Sequence, residues 1–211
     1  MKKQYKVIGL VCIFILILLN VIVYSYMFKG SKSRWNLILV NEKNKIPDDY
    51  SVDLAEIQNG IYVDERIQKE LLKMLDSAEK DGVYLEVVSG YRTEEEQEKI
   101  YEEKVAIFMD EGYKESDAKI LAKQWAAVPG TSEHQTGLAV DINVREEKCK
   151  ASDAYQWLAD NAAEYGFICR YPQDKIKITG ITNEPWHYRY VGEKAAKKMK
   201  KDNLCLEEFL Q

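Results

Sequence analysis

Ser132-Glu133-His134-Gln135-Thr136-Gly137-Leu138-Ala139-Val140-Asp141 runs on into Ile142-Asn143-Val144, and the phase of its second half decides the fold. Leu138, Val140 and Ile142 alternate with Ala139, Asp141 and Asn143, which predicts a half-buried strand with one apolar and one polar face. Asp141 then points away from the core. His134 falls in the turn before the strand, where Gly137 gives the backbone freedom to swing the imidazole back over it.

Upstream, Ile67, Leu71, Met74, Leu75 and Ala78 recur at helical spacing after Asp64, a capping residue, and Gly82 closes the segment. Tyr84 to Val88 is a short β-rich run ending at Ser89-Gly90. Thr93, with Glu96 three residues on, forms a capping box for a second helix reaching Asp110. A third helix is expected from Ser116 to Ala127, closed by Pro129-Gly130. These two helices, rich in Glu and Lys, read as scaffold.

Downstream, Ser152 is expected to cap a helix reaching Tyr165, with Gly166 as its stop. Phe167 to Tyr171 and Trp186 to Val191 are further strands, and Lys194 to Lys201 and Cys205 to Leu210 are short helices. The stretch from Tyr171 to Asn183, with Gly180 and its threonines, reads as a mobile rim. Helices and strands mix without regular βαβ alternation, so the expected class is α+β, a mostly antiparallel sheet flanked by helices.

The chain has two histidines, His134 and His187, and the second ends the run Glu184-Pro185-Trp186-His187. A catalytic zinc needs three protein ligands and an open fourth position. His134, Asp141 and His187 supply that set with no histidine left over. Pro185 is expected to interrupt the ladder at Glu184, leaving this carboxylate on a bend from which it reaches a water without ligating. Taken singly, each histidine reads as structural, Asp141 as an edge residue and Glu184 as one carboxylate among many. Their conjunction favours the metal.

Ser132-x-His134-x-x-Gly137-x-Ala139-x-Asp141 followed by Glu184-x-x-His187 resembles the zinc D-alanyl-D-alanine carboxypeptidases of the VanY type and the dipeptidases of the VanX type. Ser89-Gly90-Tyr91-Arg92-Thr93, with Gln97 after it, resembles the third landmark of that family. The likeness spans about residues 84 to 192. It implies the fold shared with the hedgehog signalling domain, one zinc on His134, Asp141 and His187, and Glu184 as catalytic base. It also implies that Arg92 stabilises an oxyanion or holds the substrate carboxylate, and that Ser132 lies near the substrate terminus. Gln97 and Trp186 are weaker candidates for the pocket lining; Trp186 reads equally well as core. The implied reaction is removal of the C-terminal D-alanine from peptidoglycan stem peptides.

Composition narrows the partners. Val7 to Phe28 carries no charge, and at helical rise it is long enough to cross a bilayer. No small-x-small cleavage site follows it, so an uncleaved signal anchor is expected. Lys2, Lys3 and Lys6 on one flank nearly balance Lys29, Lys32 and Arg34 on the other. The substrate chemistry therefore carries the expectation of a single-pass membrane protein with its catalytic domain on the extracytoplasmic side. The organisation reads as anchor 1–29, stalk and lead-in 30–60, and catalytic domain 61–211. Past residue 30 there are 26 basic against 35 acidic residues. That excess of acid argues against a nucleic-acid partner. Cys149, Cys169 and Cys205 lack the spacing of a structural zinc site and cannot form a disulfide scaffold.

Three rivals remain open on the sequence. One is an L,D-carboxypeptidase acting on tetrapeptide stems. Another is a zinc-bearing binding module, for which a base at Glu184 and a cation at Arg92 would be needless. The third is a serine peptidase using Ser132.

Overall fold

Alternation along Leu138–Val144 produces the strand expected of it. In the computed structural model, which describes residues 35–145 and 147–211, this is β4, Ala139–Val144. The proposed anchor at Val7–Phe28 lies outside the described residues, among which no helix is long and apolar enough to cross a membrane. The chain divides into two units at residues 38 and 39. Of the first unit, the described part is a single 3-10 turn, Trp35–Leu37. Everything that follows concerns the second, Leu39–Gln211.

Four strands make its main sheet: β3 (Leu85–Ser89), β4, β5 (Phe167–Tyr171) and β6 (Glu184–Tyr190). Their spatial order is β3-β4-β6-β5, and every neighbouring pair is antiparallel. Register sorts the side chains onto two faces. Val87 opposes Ile142, Val140 opposes Tyr188 and Cys169 opposes Tyr188, which builds an apolar face. Asp141 opposes His187, Ala139 opposes Arg189, and a bulge in β3 sets Ser89 against Asp141. Polar groups thus share the other face, because side chains alternate along each strand.

Helix α1, Glu65–Lys80, buries Ile67, Leu71, Met74 and Ala78, one stripe of an amphipathic helix. Asp64 caps it by accepting from the Arg66 N–H at 2.9 Å. Helices α2 (Glu94–Asp110) and α3 (Glu115–Ala122) pack on each other through their own small core of Tyr101, Val105, Ala118, Ala122 and Ala126. Both halves of the Thr93–Glu96 capping box form. After β4 come α4 (Ala151–Asn161), a 3-10 turn (Ala162–Tyr165) and β5, and after β6 come α6 (Glu193–Asp202) and α7 (Leu206–Phe209), with the short α5 (Ile176–Thr179) between the last two strands.

Several expectations need correction. A second, two-stranded sheet pairs β1 (Leu54–Gln58), inside the stretch 30–60 read as stalk and lead-in, with β2 (Ile61–Asp64) just past it. Asn59 and Gly60 both take positive φ, 50° and 79°, as a two-residue hairpin turn requires. That Asn-Gly pair was the signal overlooked. Helix α3 stops at Ala122, five residues short of the expected Ala127, and turns follow it. Early termination leaves the Ala127 carbonyl free to accept from Gln97 Nε2 at 2.7 Å. Ser152 does not cap α4; Lys150 holds the cap position and Ser152 Oγ bonds Asp153. Glu184 lies in β6 and not on a bend, paired in register with Tyr171. Pro185 is tolerated because pairing with β4 stops at His187 and pairing with β5 is irregular between Cys169 and Tyr171. The rim read as mobile carries a 3-10 turn, Gln173–Lys175, and α5.

Candidate metal centre

Three elements bring the site together. Asp141 and His187 are directly opposed on adjacent strands, so their side chains share a face by register alone. His134 arrives from the 3-10 turn Glu133–Thr136. Gly137 ends that turn in the left-handed region at φ 71°, and a Cβ there would lie 2.8 Å from the Asp64 nitrogen. The Asp64 N–H donates to the Gly137 carbonyl at 2.9 Å, tying the histidine turn to the start of α1.

Facing acceptors then select one nitrogen of each imidazole. His134 Nδ1 lies 2.7 Å from the Gly90 carbonyl, which can only accept, so Nδ1 carries the proton and Nε2 keeps its lone pair. His187 Nε2 faces Glu133 Oε2 at 3.6 Å and its Nδ1 faces inward. His134 Nε2 is 3.4 Å and His187 Nδ1 3.3 Å from Asp141 Oδ1. Asp141 Oδ1 is buried and has no hydrogen-bond partner. Ligand atoms of the three residues lie within 4.8 Å of one another. A buried carboxylate oxygen facing two imidazole lone pairs is unfavourable unless a cation sits between them. Two imidazoles and a carboxylate with an open side suit zinc in its catalytic form, so the residues present fit the metal.

Titration follows the same crowding. Burial would raise the Asp141 carboxyl, but His134 and His187 hold it well below the usual range. Burial pushes the His134 imidazole down. For His187 burial acts in the same sense, yet the facing carboxylates of Asp141 and Glu133 outweigh it and leave the ring pushed up to about 9. That value belongs to a site without a cation; a metal supplies the positive charge in place of the proton and takes the neutral ring. Burial, opposed by His187, lifts Glu184 to about 7.

Around this focus the other expected residues line one cleft of about 240 Å³. Glu184 Oε2 sits 3.6 Å from His187 Nδ1. Arg92 donates to Asp141 Oδ2 at 2.8 Å, to Ser89 Oγ at 2.9 Å and to Gln97 Oε1 at 3.3 Å. The two oxygens of Asp141 are thereby divided between the donor focus and the arginine. Gln97, buried, holds Arg92 on one side and the Ala127 carbonyl on the other. Ser132 is buried at the cleft wall and Trp186 is half-buried there.

Two residues went unnoticed in the sequence. Tyr171 also lines the cleft, its ring 4.8 Å from that of His187. Glu133, fully buried, accepts from Arg170 and Arg189 at 2.8 Å each. Its place beside His134 was visible in the motif; its partners, 37 and 56 residues away, were not.

Known proteins agree with this geometry. Residues 60–193 match the family VanY, D-alanyl-D-alanine carboxypeptidase. A D-alanyl-D-alanine carboxypeptidase of Enterococcus faecalis is 52% identical over 182 residues, covering 86% of this chain and 68% of that protein. Two solved structures are also similar. One is a mutant vancomycin-resistance D,D-pentapeptidase VanY in complex with Zn(II), with TM-score 0.81 and 52% identity over 84% of this chain and 99% of that one. The other is VanYB in complex with D-alanine-D-alanine, with TM-score 0.82 and 53% identity over 83% and 97%. With a donor set suited to zinc and a family match over more than half its length, the chain belongs to the VanY family of D-alanyl-D-alanine carboxypeptidases, and it is a zinc metallopeptidase.

Proposed function

We propose that this enzyme removes the C-terminal D-alanine from peptidoglycan stem peptides or their precursors, with zinc held by His134 Nε2, Asp141 Oδ1 and His187 Nδ1. One observation carries the reading: a buried, unpartnered Asp141 oxygen facing two imidazole nitrogens, with a carboxylate at the edge of the same focus. Zinc, when bound, supplies Lewis acidity toward the attacking water and the scissile carbonyl. Glu184 takes the proton of that water and later delivers it to the leaving amine, a task suited to a carboxyl whose pKa burial has raised. Arg92, fixed by Ser89, Gln97 and Asp141, presents positive charge to the cleft where the oxyanion develops. Ser132, Gln97 and Trp186 line the same cleft and are assigned to holding the D-alanyl terminus.

The anchor is part of the proposal. The uncharged run Val7–Phe28 is long enough to span a bilayer, and a stem-peptide substrate lies outside the membrane. We therefore assign the chain to the cell membrane as a single-pass protein with its catalytic domain outside. Protease added to intact cells should digest the domain; protection would sink this topology.

The catalytic assignment is tested on stem peptides. D-alanine should be released from the pentapeptide, lost on chelation and restored by zinc. Release from the tetrapeptide alone would transfer the enzyme to the L,D class. Activity that survives chelation would remove the metal from the mechanism and revive a serine nucleophile.

A further inference from the structure

Behind the metal ligands lies a buried cluster of charges that the reaction as derived does not use. Glu133 is fully buried, as are both arginines that it pairs with. Its Oε1 accepts from Arg170 Nε and Arg189 Nη1, each at 2.8 Å. Arg170 is gripped at its other edge by Glu207 of α7, Nη1 to Oε2 at 2.8 Å and Nη2 to Oε1 at 2.7 Å, a two-point pairing. Asn41 donates to the same Glu207 at 3.1 Å. Two carboxylates therefore face two guanidinium groups and the cluster is neutral without help from a histidine. One polar atom in it is unspent. Glu133 Oε2 has no hydrogen-bond partner, and 3.6 Å away is His187 Nε2, buried and equally unpartnered.

We infer that Glu133 is a positioning residue for the metal ligand His187, and that its position is set from the C-terminal helix through Arg170 and Glu207. The inference rests on His187 being a zinc ligand, as proposed above. A carboxylate facing Nε2 keeps the proton there and leaves the Nδ1 lone pair toward the donor focus. Burial makes the arrangement specific: Glu133 cannot turn away, because both arginines hold its Oε1. Nor can Arg170 turn away, because Glu207 holds its outer edge. The last structured helix of the chain is thus connected, through three charged side chains, to a zinc ligand on β6.

Glu133→Gln tests the first half. The amide oxygen has two lone pairs and the two arginines claim both, so the NH2 group is left facing Nε2–H, donor against donor. His187 then favours the opposite tautomer, with its proton on Nδ1 where the metal must bind. Zinc affinity, measured by competition with a chromophoric chelator, should fall about 10–100-fold. Nitrogen NMR shifts of His187 in the metal-free protein, recorded above about pH 9 where the ring is neutral, should move from the Nε2–H to the Nδ1–H pattern, a readout that a merely structural role would not change. Wild-type affinity with an unchanged tautomer would overturn the inference. Should the variant not fold, Glu207→Gln carries the test, since Glu207 lies at the outer end of the cluster. It should weaken zinc binding by itself, and where Glu133→Gln does fold, the Glu207→Gln loss should be the smaller and should not add to it in the double variant. If Glu207→Gln binds zinc as tightly as wild type, the link to the C-terminal helix is wrong. A wild-type protein that fails to bind zinc would instead sink the metal assignment itself.

Discussion

Glu184 shows how one side chain acquires its task from its surroundings. It opens β6 at the wall of the cleft, with its Oε2 3.6 Å from His187 Nδ1 and so close enough to serve the same focus. Replacing it with glutamine keeps the shape and removes the base. Glu184→Gln should bind zinc as the wild type does while kcat drops about 10²–10⁴-fold, the usual worth of a positioned general base. Steady-state kinetics beside a metal titration would check both halves; undiminished turnover would remove Glu184 from the mechanism. Residue chemistry of this kind was legible early. With two histidines in the chain, the metal set was nearly forced, and the strand phase turned Asp141 toward it. Glu133 was not legible, since an acid beside a histidine ligand reads as exposed until Arg170 and Arg189 are brought over it.

At the scale of elements, the site depends on how tightly β3 passes under β2. Gly90 follows β3, and a Cβ there would stand 2.2 Å from the Tyr62 carbonyl oxygen and 2.9 Å from Ile61 Cγ2. Its need for glycine is a close approach of backbones, as its φ is not positive. The same residue supplies the carbonyl that fixes the His134 tautomer. Gly90→Ala must push β2 and β3 apart, at a cost of about 1–3 kcal/mol for overpacking. Because His134 moves with the carbonyl, zinc affinity should fall as well. Thermal unfolding and chelator competition read the two effects; a variant unchanged in both would contradict the packing described. Helix starts marked by Asp64 and Thr93 were readable because caps are local. The α3 end and the Glu184 pairing were not, because a distant carbonyl acceptor and a bulged register decide them.

Across the whole molecule, the buried pairing of Arg170 with Glu207 joins the C-terminal helix to the sheet. Burial would raise the Glu207 carboxyl, but hydrogen bonding to Arg170 overrides it and leaves the pKa below its ordinary 4.5. A carboxyl depressed on folding stabilises above its unfolded pKa and loses that stability as pH falls through the folded value. Wild type should therefore exceed Glu207→Gln in stability by about 1–3 kcal/mol at neutral pH. That difference should shrink as the pH drops below about 4.5, where the wild-type carboxyl takes up its proton. Denaturant unfolding of both proteins across that range measures it; a gap constant with pH would mean that Glu207 does not hold its charge against Arg170.

Taken by itself, the sequence determined the class of fold and singled out His134, Asp141 and His187 as a donor set, while the base at Glu184 was what the family resemblance implied. The first two rest on local information: strand alternation, capping residues, glycine placement and the scarcity of histidine. Only the tertiary structure decided which nitrogen of each imidazole faces the metal, which oxygen of Asp141 stays free, and what stands behind His187. Those choices are made by the Gly90 carbonyl, by Arg92 and by Glu133 between two arginines, partners up to 56 residues apart in the chain. Hydrogen-bond direction depends on who arrives across space, and no spacing along the chain records it.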